Sequence, residues 1–383
     1  MKLYYIANAR MPTERAHGIQ IAKMCEAFIE EGVEVTLVVP RRRTDEQSVR
    51  EFYGLRVDIQ KVTLFVFDWY TKGRILYRVS SFSFMVSSFL YLWHRRHEKG
   101  VVLYTVDLDE WSYAQLPLLR LPYFSEMHGS KPRTLINRFF FHGISGAVTI
   151  NRLIKESLQT VFSVTPERII VAPDAVDAAH FFPIPRVQAR ERLALARDIK
   201  LVLYVGRILD WKGLEILPTA ARLLGDDATI GVVGGTRERF VEVTGVADIP
   251  KNLVFYGDRV FEDMPLWINA ADAVLMTSTA RNELSYRWTS PMKAFEYMAC
   301  GVPIVAADTP SMREIISTSN AFLYQPDDAS SLAQEIRTVL KHPEEAQRRG
   351  EAALAASRAC SWRARAKHVV QFIQENTSTH EYV

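Results

Sequence analysis

Two basic residues follow a predicted strand in the second half of the chain and could bind a phosphate group. Arg207 and Lys212 lie five residues apart in GRILDWKG, at the end of the apolar run KLVLYVGR. Two cations at the carboxyl end of a strand, beside a helix amino terminus, can neutralise a diphosphate as negative charge develops on it. Two solvated loop cations are the alternative interpretation.

A second segment, residues 290–316, combines a helix start with a carboxylate. Ser290 and Pro291 open a predicted helix, whose exposed N–H groups can bind a phosphate. Glu296 lies on the following turns, and because a carboxylate only accepts hydrogen bonds, it suits a pair of ribose hydroxyls. Gly301 ends the predicted helix before the strand PIVAAD. The segment therefore presents anion binding and a carboxylate at one strand-to-helix site.

In the first half, two histidines are candidates for a site. His128 ends the predicted strand PYFSEMH, and Glu126 lies on the same strand face, because side chains two residues apart share a face. A lone histidine is more often structural than catalytic. Gly18, preceded by His17, lies between the first predicted strand and helix. Its missing Cβ would let backbone approach a ligand closely, and a simple turn is the alternative.

Three other features of the sequence do not predict a metal, dinucleotide or disulfide site. Asp107 and Asp109 form a DxD motif, which could hold a divalent metal. The motif lies in the first half, away from Arg207 and Lys212, so we expect surface or acceptor-side structure and no metal site. Gly234 and its neighbour lack the GxGxxG spacing of a dinucleotide site, so a dehydrogenase is not expected. The three cysteines form neither a disulfide framework nor a zinc motif: Cys25, Cys300 and Cys360.

The elements around these residues predict two α/β domains. The chain has 383 residues, of which 48% are hydrophobic and 24% charged, as in folded two-domain proteins. Short apolar runs alternate with helix-length amphipathic stretches, as in βα units with parallel sheets. The predicted strands of the first half are KLYYIAN, VEVTLVVP, VVLYTVD, LPYFSEMH, GAVTIN and RIIVAPD. Those of the second half are KLVLYVGR, ATIGVVGG, LVFYGD, AVLMTS, PIVAAD and AFLYQ.

A proline-containing segment, AAHFFPIPRVQARERL, separates the two series of strands. We therefore expect a first domain over residues 1–187 and a second over 188–360. Residues 361–383 are expected to form a helix that could pack back on the first domain. The amino terminus lacks an apolar leader with a cleavage site, and a cytoplasmic location is expected.

One apolar stretch, LYRVSSFSFMVSSFLYLW, leaves two interpretations open. Arg78 and several serines interrupt it, so we do not expect a membrane span. Cations flank it within residues 72–99, beginning with Lys72 and Arg74. An aromatic helix with cationic flanks could rest on a membrane interface, at the inner face of the cell membrane. We favour a buried helix that covers the first sheet, as apolar helices of α/β proteins usually do.

Together these segments resemble the GT4 family of retaining glycosyltransferases. The second half contributes VGRILDWKGLEILPTAARLL, IGVVGGT, VFYGDRVFEDMPLWINAADAVLMTS, SPMKAFEYMACGVPIVAADTPSMREII and AFLYQPDDASSLAQEI, in the family's order and spacing. The first half contributes IANARMPTERAHGIQIAKMCEAF, SEMHG and VAPDAVDAAHF. The resemblance covers nearly the whole chain. It implies the GT-B fold, two Rossmann-like α/β domains with parallel sheets facing across a cleft.

The resemblance also implies residue roles. The positions that match the family's diphosphate-binding and sugar-contacting residues make up the implied catalytic set: His128, Arg207 and Lys212. The implied donor-binding residues are Gly18, Arg207, Lys212, Ser290, Pro291, Met292, Lys293 and Glu296. His17 and Glu126 are expected on the acceptor side.

The sequence departs from the family at one position. The family commonly has two glutamates eight positions apart, and the second matches Glu296. Trp288 stands at the place of the first, and Glu283, five residues upstream, could compensate. Because the first glutamate usually lies against the donor sugar, this departure leaves the sugar open.

The expected function is transfer of a hexose from a nucleotide diphosphate sugar to a carbohydrate or lipid-linked acceptor, with retention of anomeric configuration, in polysaccharide or glycoconjugate synthesis. The resemblance implies no metal or other cofactor, and no nucleic-acid partner is expected. A nucleotide-sugar epimerase of the same fold and a non-catalytic nucleotide-sugar-binding protein are the alternatives.

Overall fold

A computed structural model describes residues 1–42, 48–70, 73–109 and 111–377. The chain forms two compact units. The first comprises Met1–Pro173 together with the carboxyl-terminal segment from Trp362, and the second comprises Asp174–Ser361. The boundary thus falls at residue 173, before the expected position at 187, because Val176 and Phe181 pack into the core of the second unit.

The first unit contains a parallel sheet of seven strands in the order β3-β2-β1-β4-β5-β6-β7. Its strands are β1 Lys2–Ile6, β2 Glu34–Pro40, β3 Gln60–Leu64, β4 Val101–Val106, β5 Tyr123–Met127, β6 Gly146–Thr149 and β7 Ile169–Val171. Its helices are α1 Ala16–Glu30, α2 Val49–Tyr53, α3 Arg74–Arg95, α4 Leu135–His142, α5 Arg152–Phe162 and α14 Trp362–Thr377. The sequence pattern missed β3, because only two of its five residues, QKVTL, are apolar.

The second unit contains a parallel sheet of six strands in the order β10-β9-β8-β11-β12-β13. Its strands are β8 Leu201–Val205, β9 Thr229–Val233, β10 Leu253–Gly257, β11 Ala273–Met276, β12 Ile304–Ala307 and β13 Phe322–Tyr324. Its helices are α6 Arg186–Arg192, α7 Leu217–Leu224, α8 Arg237–Thr244, α9 Met264–Ala270, α10 Glu283–Arg287, α11 Met292–Cys300, α12 Ala329–Lys341 and α13 Pro343–Ser357. All six strands predicted from the sequence are present.

The continuous apolar runs of the sequence form strands that are buried on both faces of each sheet. Every residue of β4, β8, β11 and β12 is buried, as expected when helices cover both faces of a parallel sheet. The expected fold of two Rossmann-like α/β domains is therefore confirmed.

Helix α3 differs from the favoured expectation of a buried helix. Its buried residues form one narrow face: Ser80, Ser81, Phe84, Ser88 and Leu92. Only 28% of its most apolar window is buried, and the length and mean hydropathy of this helix would allow it to cross a membrane. This also differs from the expectation that Arg78 and the serines exclude such a helix. Lys72, counted among the flanking cations, lies outside the described residues.

A buried ion pair holds the last helix against the first sheet. The carboxylate of Glu126 on β5 is fully buried, and both of its oxygens accept hydrogen bonds from Arg365 on α14, at 2.8 and 3.2 Å. Arg365 also donates to the carbonyls of Ala172 and Pro173. Burial alone would raise the pKa of Glu126, but Arg365, followed by His128, holds this pKa well below its usual range.

We predict that Arg365→Met lowers the free energy of unfolding by about 3–5 kcal/mol at pH 7, because it leaves a buried charge unpaired. Urea unfolding followed by circular dichroism measures this loss. Arg363→Met is the matched control: Arg363 lies on the same helix, pairs with Glu31 and is 70% exposed, so its loss should change stability little.

The difference between wild type and Arg365→Met should depend on pH. In wild type the lowered pKa of Glu126 stabilises the fold above the carboxyl group's unfolded pKa, and this contribution is lost as the pH falls. In the variant the unpaired, buried carboxyl group is stabilised by protonation. The deficit should therefore shrink as the pH falls from about 7 to about 5. A deficit that is constant over this range would contradict the ion-pair explanation.

Candidate functional site

Three strands of the second unit end close together at one edge of the sheet. Gly206 follows β8, Gly234 follows β9, and Thr277 follows β11. The order of the strands reverses between β8 and β11. In parallel α/β sheets such a reversal leaves a crevice at the carboxyl ends of the strands, where ligands bind. This edge of the second sheet is the candidate site.

Gly206 makes room for a lysine side chain at this edge. A Cβ atom added to Gly206 would lie 1.3 Å from Nζ of Lys293 on α11. A Cβ added to Gly234, which has a φ of 107°, would lie 2.8 Å from the backbone of Gly206. The Lys293 ammonium also lies 5.2 Å from the centroid of the Tyr204 ring. Only glycine permits this approach of two strand ends and a cation.

The structure brings three expected cations and one expected carboxylate together. Arg207 follows Gly206, and its positive charge acts on Lys293. Lys293 in turn interacts electrostatically with Lys212 and with Glu296. Lys212 ends a short turn, Asp210–Lys212, and its Nζ lies 3.9 Å from the centroid of the Trp211 ring.

None of these four charged side chains has a hydrogen bond or an ion pair within 4.0 Å to another described residue. Some basic residues elsewhere in the second unit are paired with a carboxylate: Arg190 binds Asp272 at 2.9 Å, and Arg313 binds Asp308. The candidate site instead groups three cations that form no ion pair, which leaves it suited to an anionic ligand.

Burial and mutual repulsion shift the pKa of each lysine. Burial, with repulsion from Lys293, lowers the pKa of Lys212 to about 7. Burial, together with repulsion from Arg207, lowers the pKa of Lys293 to about 8, while the attraction of Glu296 opposes this shift. Burial raises the pKa of Glu296 to about 7, against the attraction of Lys293. Near neutral pH these groups therefore exchange protons readily, and a bound anion would favour the charged lysines.

Helix α11 begins at the same edge. Met292 and Lys293 form its first turn, and Pro291 precedes it without a side-chain cap on the first N–H groups. Its uncapped N–H groups add a partial positive charge to that of the lysines. The hydroxyl of Ser290 accepts a hydrogen bond from the Asp174 backbone at 3.2 Å. As expected, Gly301 ends the helix, with a φ of 68°.

A network of hydroxyl groups fixes the loop between β11 and α11. Ser278 bonds to Ser285 at 2.7 Å between hydroxyls, and Ser311 donates to the Tyr286 carbonyl at 3.0 Å. Thr289 donates to the Ser285 carbonyl at 3.3 Å. Because these bonds join the loop to the segments after β11 and β12, they position the start of α11 against the sheet.

Trp288, at the position where the family commonly has its first glutamate, follows α10 directly and is partly exposed. Glu283, which could compensate, lies on the first turn of α10 and is exposed. Neither observation assigns a sugar-binding carboxylate to this loop.

In the first unit, Glu126 positions His128. Nε2 of His128 lies 3.0 Å from a carboxylate oxygen of Glu126, and the imidazole is 29% exposed. Glu126 also accepts hydrogen bonds from Tyr104 at 2.6 Å and from Gln20. Since Glu126 is fully buried, it cannot contact an acceptor itself, contrary to its expected place on the acceptor side. It can only act through His128.

Gly18 and His17 lie at the start of α1. A Cβ on Gly18 would lie 2.3 Å from the Tyr53 hydroxyl and 2.5 Å from Cγ2 of Thr13. Packing inside the first unit therefore already favours glycine here, and the expected approach to a donor stays a prediction. Burial, followed by the charges of Arg15 and His128, lowers the pKa of His17 to about 4, so this imidazole is neutral at pH 7.

Both carboxylates of the DxD motif are already bound within the protein. Asp107 forms an ion pair with Lys131, and Asp109 accepts hydrogen bonds from the Trp111 and Ser112 backbone at 2.8 and 2.7 Å. Asn8 donates to the second oxygen of Asp109. Among the described residues, no group of three or more acidic, histidine or cysteine side chains could hold a metal ion.

Two residues that contribute to the Glu126 ion pair and to the candidate site were not predicted from the sequence. Arg365 lies 239 positions after its partner Glu126, and no local pattern connects them. Gly206 could have been found, because a glycine between a buried strand and a cation is typical of a close backbone approach to a ligand.

Comparison with known proteins agrees with this site. Residues 199–342 match the sequence model of the family described as glycosyl transferases group 1. This range contains all four charged residues of the candidate site and the start of α11.

Curated relatives match over part of the chain. A D-inositol 3-phosphate glycosyltransferase from Geodermatophilus obscurus is 30% identical over 200 residues, covering 48% of this chain and 42% of the relative. One from Frankia alni is 27% identical over 226 residues, covering 55% and 54%. The chain thus spans about half the length of the curated relatives it matches.

Solved structures match over nearly the whole chain. Sucrose-phosphate synthase from Thermosynechococcus elongatus has a TM-score of 0.77 at 17% identity and covers 99% of both chains. Anabaena Alr3699/HepE, solved in complex with UDP, has a TM-score of 0.75 at 16% identity and covers 98% of this chain and 100% of its own. These similarities concern the fold. Residues 199–342 are thus similar to the glycosyl transferases group 1 family, within a chain whose two Rossmann-like α/β units share their fold with these structures.

Proposed function

We propose that this protein transfers a hexose from a nucleoside diphosphate sugar to a carbohydrate or lipid-linked acceptor, and that the second unit binds the donor. The observation behind this proposal is the group of cations without ion pairs, Arg207, Lys212 and Lys293, in which Lys293 reaches the backbone of Gly206 and interacts electrostatically with the other two. They lie in the residues that match glycosyl transferases group 1. Alr3699/HepE, which shares the fold, was solved with UDP and with UDP-glucose.

The diphosphate is the part of the donor that this charge suits. Burial, together with repulsion among the cations, disfavours the charged lysines in the empty protein, as the lowered pKa values of both lysines indicate. A diphosphate removes this repulsion. It gains negative charge as the bond to the sugar breaks, so the cations stabilise the transition state more than the bound donor. Glu296 would accept hydrogen bonds from the ribose hydroxyls.

On the sugar, we propose that configuration is retained. The acceptor oxygen forms a bond to the anomeric carbon on the face from which the diphosphate oxygen departs, and the acceptor's proton passes to that diphosphate. No protein nucleophile is needed. His128, oriented by the buried Glu126, would contact the transferred sugar, as the family resemblance implies. With the charge supplied by side chains and a helix terminus, we propose that no metal takes part.

We predict that Lys212→Ala and Arg207→Ala each lower the turnover number by about a hundredfold or more, because a preorganised charge on the transition state is lost. The measurement is donor turnover, screened over UDP-, GDP- and ADP-sugars with product analysis. Arg337→Ala, which removes a surface cation paired with Asp227, is the control and should retain the wild-type rate.

The same assay separates the alternatives. Slow donor hydrolysis supports transfer, an epimerised sugar would indicate an epimerase, and binding without turnover would indicate a binding protein. The assay is also run with EDTA. Loss of the wild-type rate in EDTA would contradict the proposal that side-chain cations act without a metal.

We predict that Glu296→Gln weakens binding of the nucleoside diphosphate by about 1.5–3 kcal/mol, because the amide loses the charge that accepts the ribose hydrogen bonds. Affinity for pyrophosphate should hardly change, since Arg207, Lys212 and Lys293 remain. Calorimetric titration with both ligands measures this. If the variant bound the nucleoside diphosphate as tightly as wild type, Glu296 would be a structural residue of α11.

We predict that nucleoside diphosphate binding takes up protons and weakens as the pH rises above 7. Lys212 and Lys293, with pKa values of about 7 and 8, lose protons over this range, and a bound diphosphate would raise both values. Affinity should fall by up to about tenfold per pH unit for each proton taken up. Glu296, with a pKa of about 7, is mostly ionised above about pH 8 and does not offset the loss there.

Calorimetry in two buffers of different ionisation enthalpy counts the protons. Lys212→Met should bind more weakly and take up fewer protons. An affinity that stays constant from about pH 7.5 to 8.5 would show that the lysines do not meet the diphosphate.

A further inference from the structure

Helix α3 carries a continuous apolar surface on its exposed side. Six large apolar residues repeat every three or four positions, so they form one stripe along the helix. They are Ile75 (77% exposed), Val79 (37%), Phe82 (53%), Val86 (41%), Leu90 (52%) and Trp93 (41%). The helix has 22 residues, and the stripe from Ile75 to Trp93 extends over about 27 Å of it.

The segment after β3 widens the stripe. Phe65, Phe67 and Trp69 are exposed, and their rings contact each other in series at centroid distances of 5.4 and 5.3 Å. Hydrogen bonds join this segment to the helix: the Phe67 N–H donates to Ser83, and Ser87 donates to the Phe65 carbonyl. Nine exposed apolar side chains therefore share one surface, which we call the α3 face.

The opposite side of α3 is unusually polar for a buried surface. Ser80, Ser81 and Ser88 are fully buried against the first unit. Asn8 donates to Ser81 at 3.2 Å, and Gln115 donates to Ser88 at 2.9 Å. Phe84 and Leu92 complete this buried side. A helix that only covered the sheet would place most of its large apolar residues inward. Here six of them lie outward, so the apolar side needs a partner outside the unit.

These same hydrogen bonds exclude a membrane-spanning arrangement. A spanning helix would have to leave the first unit, and Asn8 and Gln115 would lose partners in the protein interior. Lying flat at an interface keeps the serine side on the protein and turns the α3 face to the apolar phase. This fits an amphipathic helix in the plane of a membrane surface.

The charges at the two ends of α3 indicate what kind of partner the α3 face binds. Arg74 and Arg78 are exposed near one end of α3 and have no acidic partner among the described residues. At the other end, Arg95 and Arg96 lie over the rings of Tyr91 and Trp93, at 3.8 and 3.3 Å, and Arg95 also lies 3.9 Å from Glu98. The helix itself contains no acidic residue. A second copy of this chain would bring cations against cations in either orientation, whereas an anionic surface complements both ends.

We propose that the α3 face binds the surface of an anionic lipid bilayer, with α3 lying in the plane of the interface. The aromatic and aliphatic side chains enter the boundary of the acyl chains, and the arginines contact lipid phosphates. This contact uses only the first unit. It requires neither a nucleotide sugar nor an acceptor. An experiment that contradicts membrane binding would therefore not contradict the proposed transfer reaction, and the reverse also holds.

Vesicle co-sedimentation of the full chain tests this proposal. Wild type should bind vesicles of phosphatidylcholine containing about one third phosphatidylglycerol, and bind pure phosphatidylcholine at least tenfold more weakly. High salt should weaken the anionic binding. Arg74→Gln with Arg78→Gln should lose affinity by at least fivefold, since each basic residue near an anionic surface contributes about fivefold.

A double substitution in the α3 face provides the decisive variant. Phe82→Ser with Leu90→Ser should weaken binding to anionic vesicles at least tenfold while leaving the thermal unfolding curve unchanged, because both side chains are half exposed. Val187→Ser with Leu223→Ser, which removes exposed apolar residues of α6 and α7, is the matched control and should bind as wild type does.

The outcomes decide between the candidate partners. Absence of wild-type binding to anionic vesicles, or equal binding by the α3 double variant, would overturn the proposal. A dimer detected by light scattering and abolished by Phe82→Ser with Leu90→Ser, without vesicle binding, would assign the α3 face to contact between copies instead.

Discussion

A fully buried carboxylate must be compensated, and the way Glu126 is compensated organises the first unit. Its partners come from β4, α1, α14 and the residue directly after β5, so one side chain joins the sheet, the first helix and the last helix. Desolvating an ion pair costs free energy, and close geometry with additional hydrogen bonds offsets that cost. Arg365 meets both conditions, because it also binds the backbone carbonyls after β7. The position of His128 follows from the same arrangement.

The second unit contains the opposite case, in which charges are left without partners. Arg207, Lys212, Lys293 and Glu296 could each have been given a partner, as Arg190 has in Asp272. Leaving them unpaired lowers stability but keeps the cations available to a ligand, and local violations of this kind are expected at functional sites. The glycines after β8 and β9 belong to the same arrangement, because they let the Lys293 ammonium approach the strand ends.

Most strands and most residues of the candidate site could be predicted from the sequence. The features that could not be predicted share a physical cause, which is that they depend on contacts outside the local pattern. Strands such as KLVLYVGR are continuous apolar runs, and Arg207, Lys212 and Glu296 each follow such a strand or a helix start closely. Local spacing therefore finds them. The pair of Glu126 and Arg365 depends on how the chain returns to its first sheet, which no local pattern encodes. β3 was missed because an edge strand needs fewer apolar residues than a central one.

Helix α3 and Gly18 show a different limit. The same letters fit a buried helix and an interfacial one, because periodicity reveals that a helix has two sides but not which side the protein covers. The packing shows which side is covered. Three serines face the unit together with Phe84 and Leu92, while six large apolar side chains remain exposed. Similarly, a glycine after a strand suggests close backbone approach, but only the contacts reveal that Thr13 and Tyr53 are what approaches Gly18. In both cases the residue type predicts a close contact or an exposed surface. Only the folded structure shows which neighbouring residues make that contact.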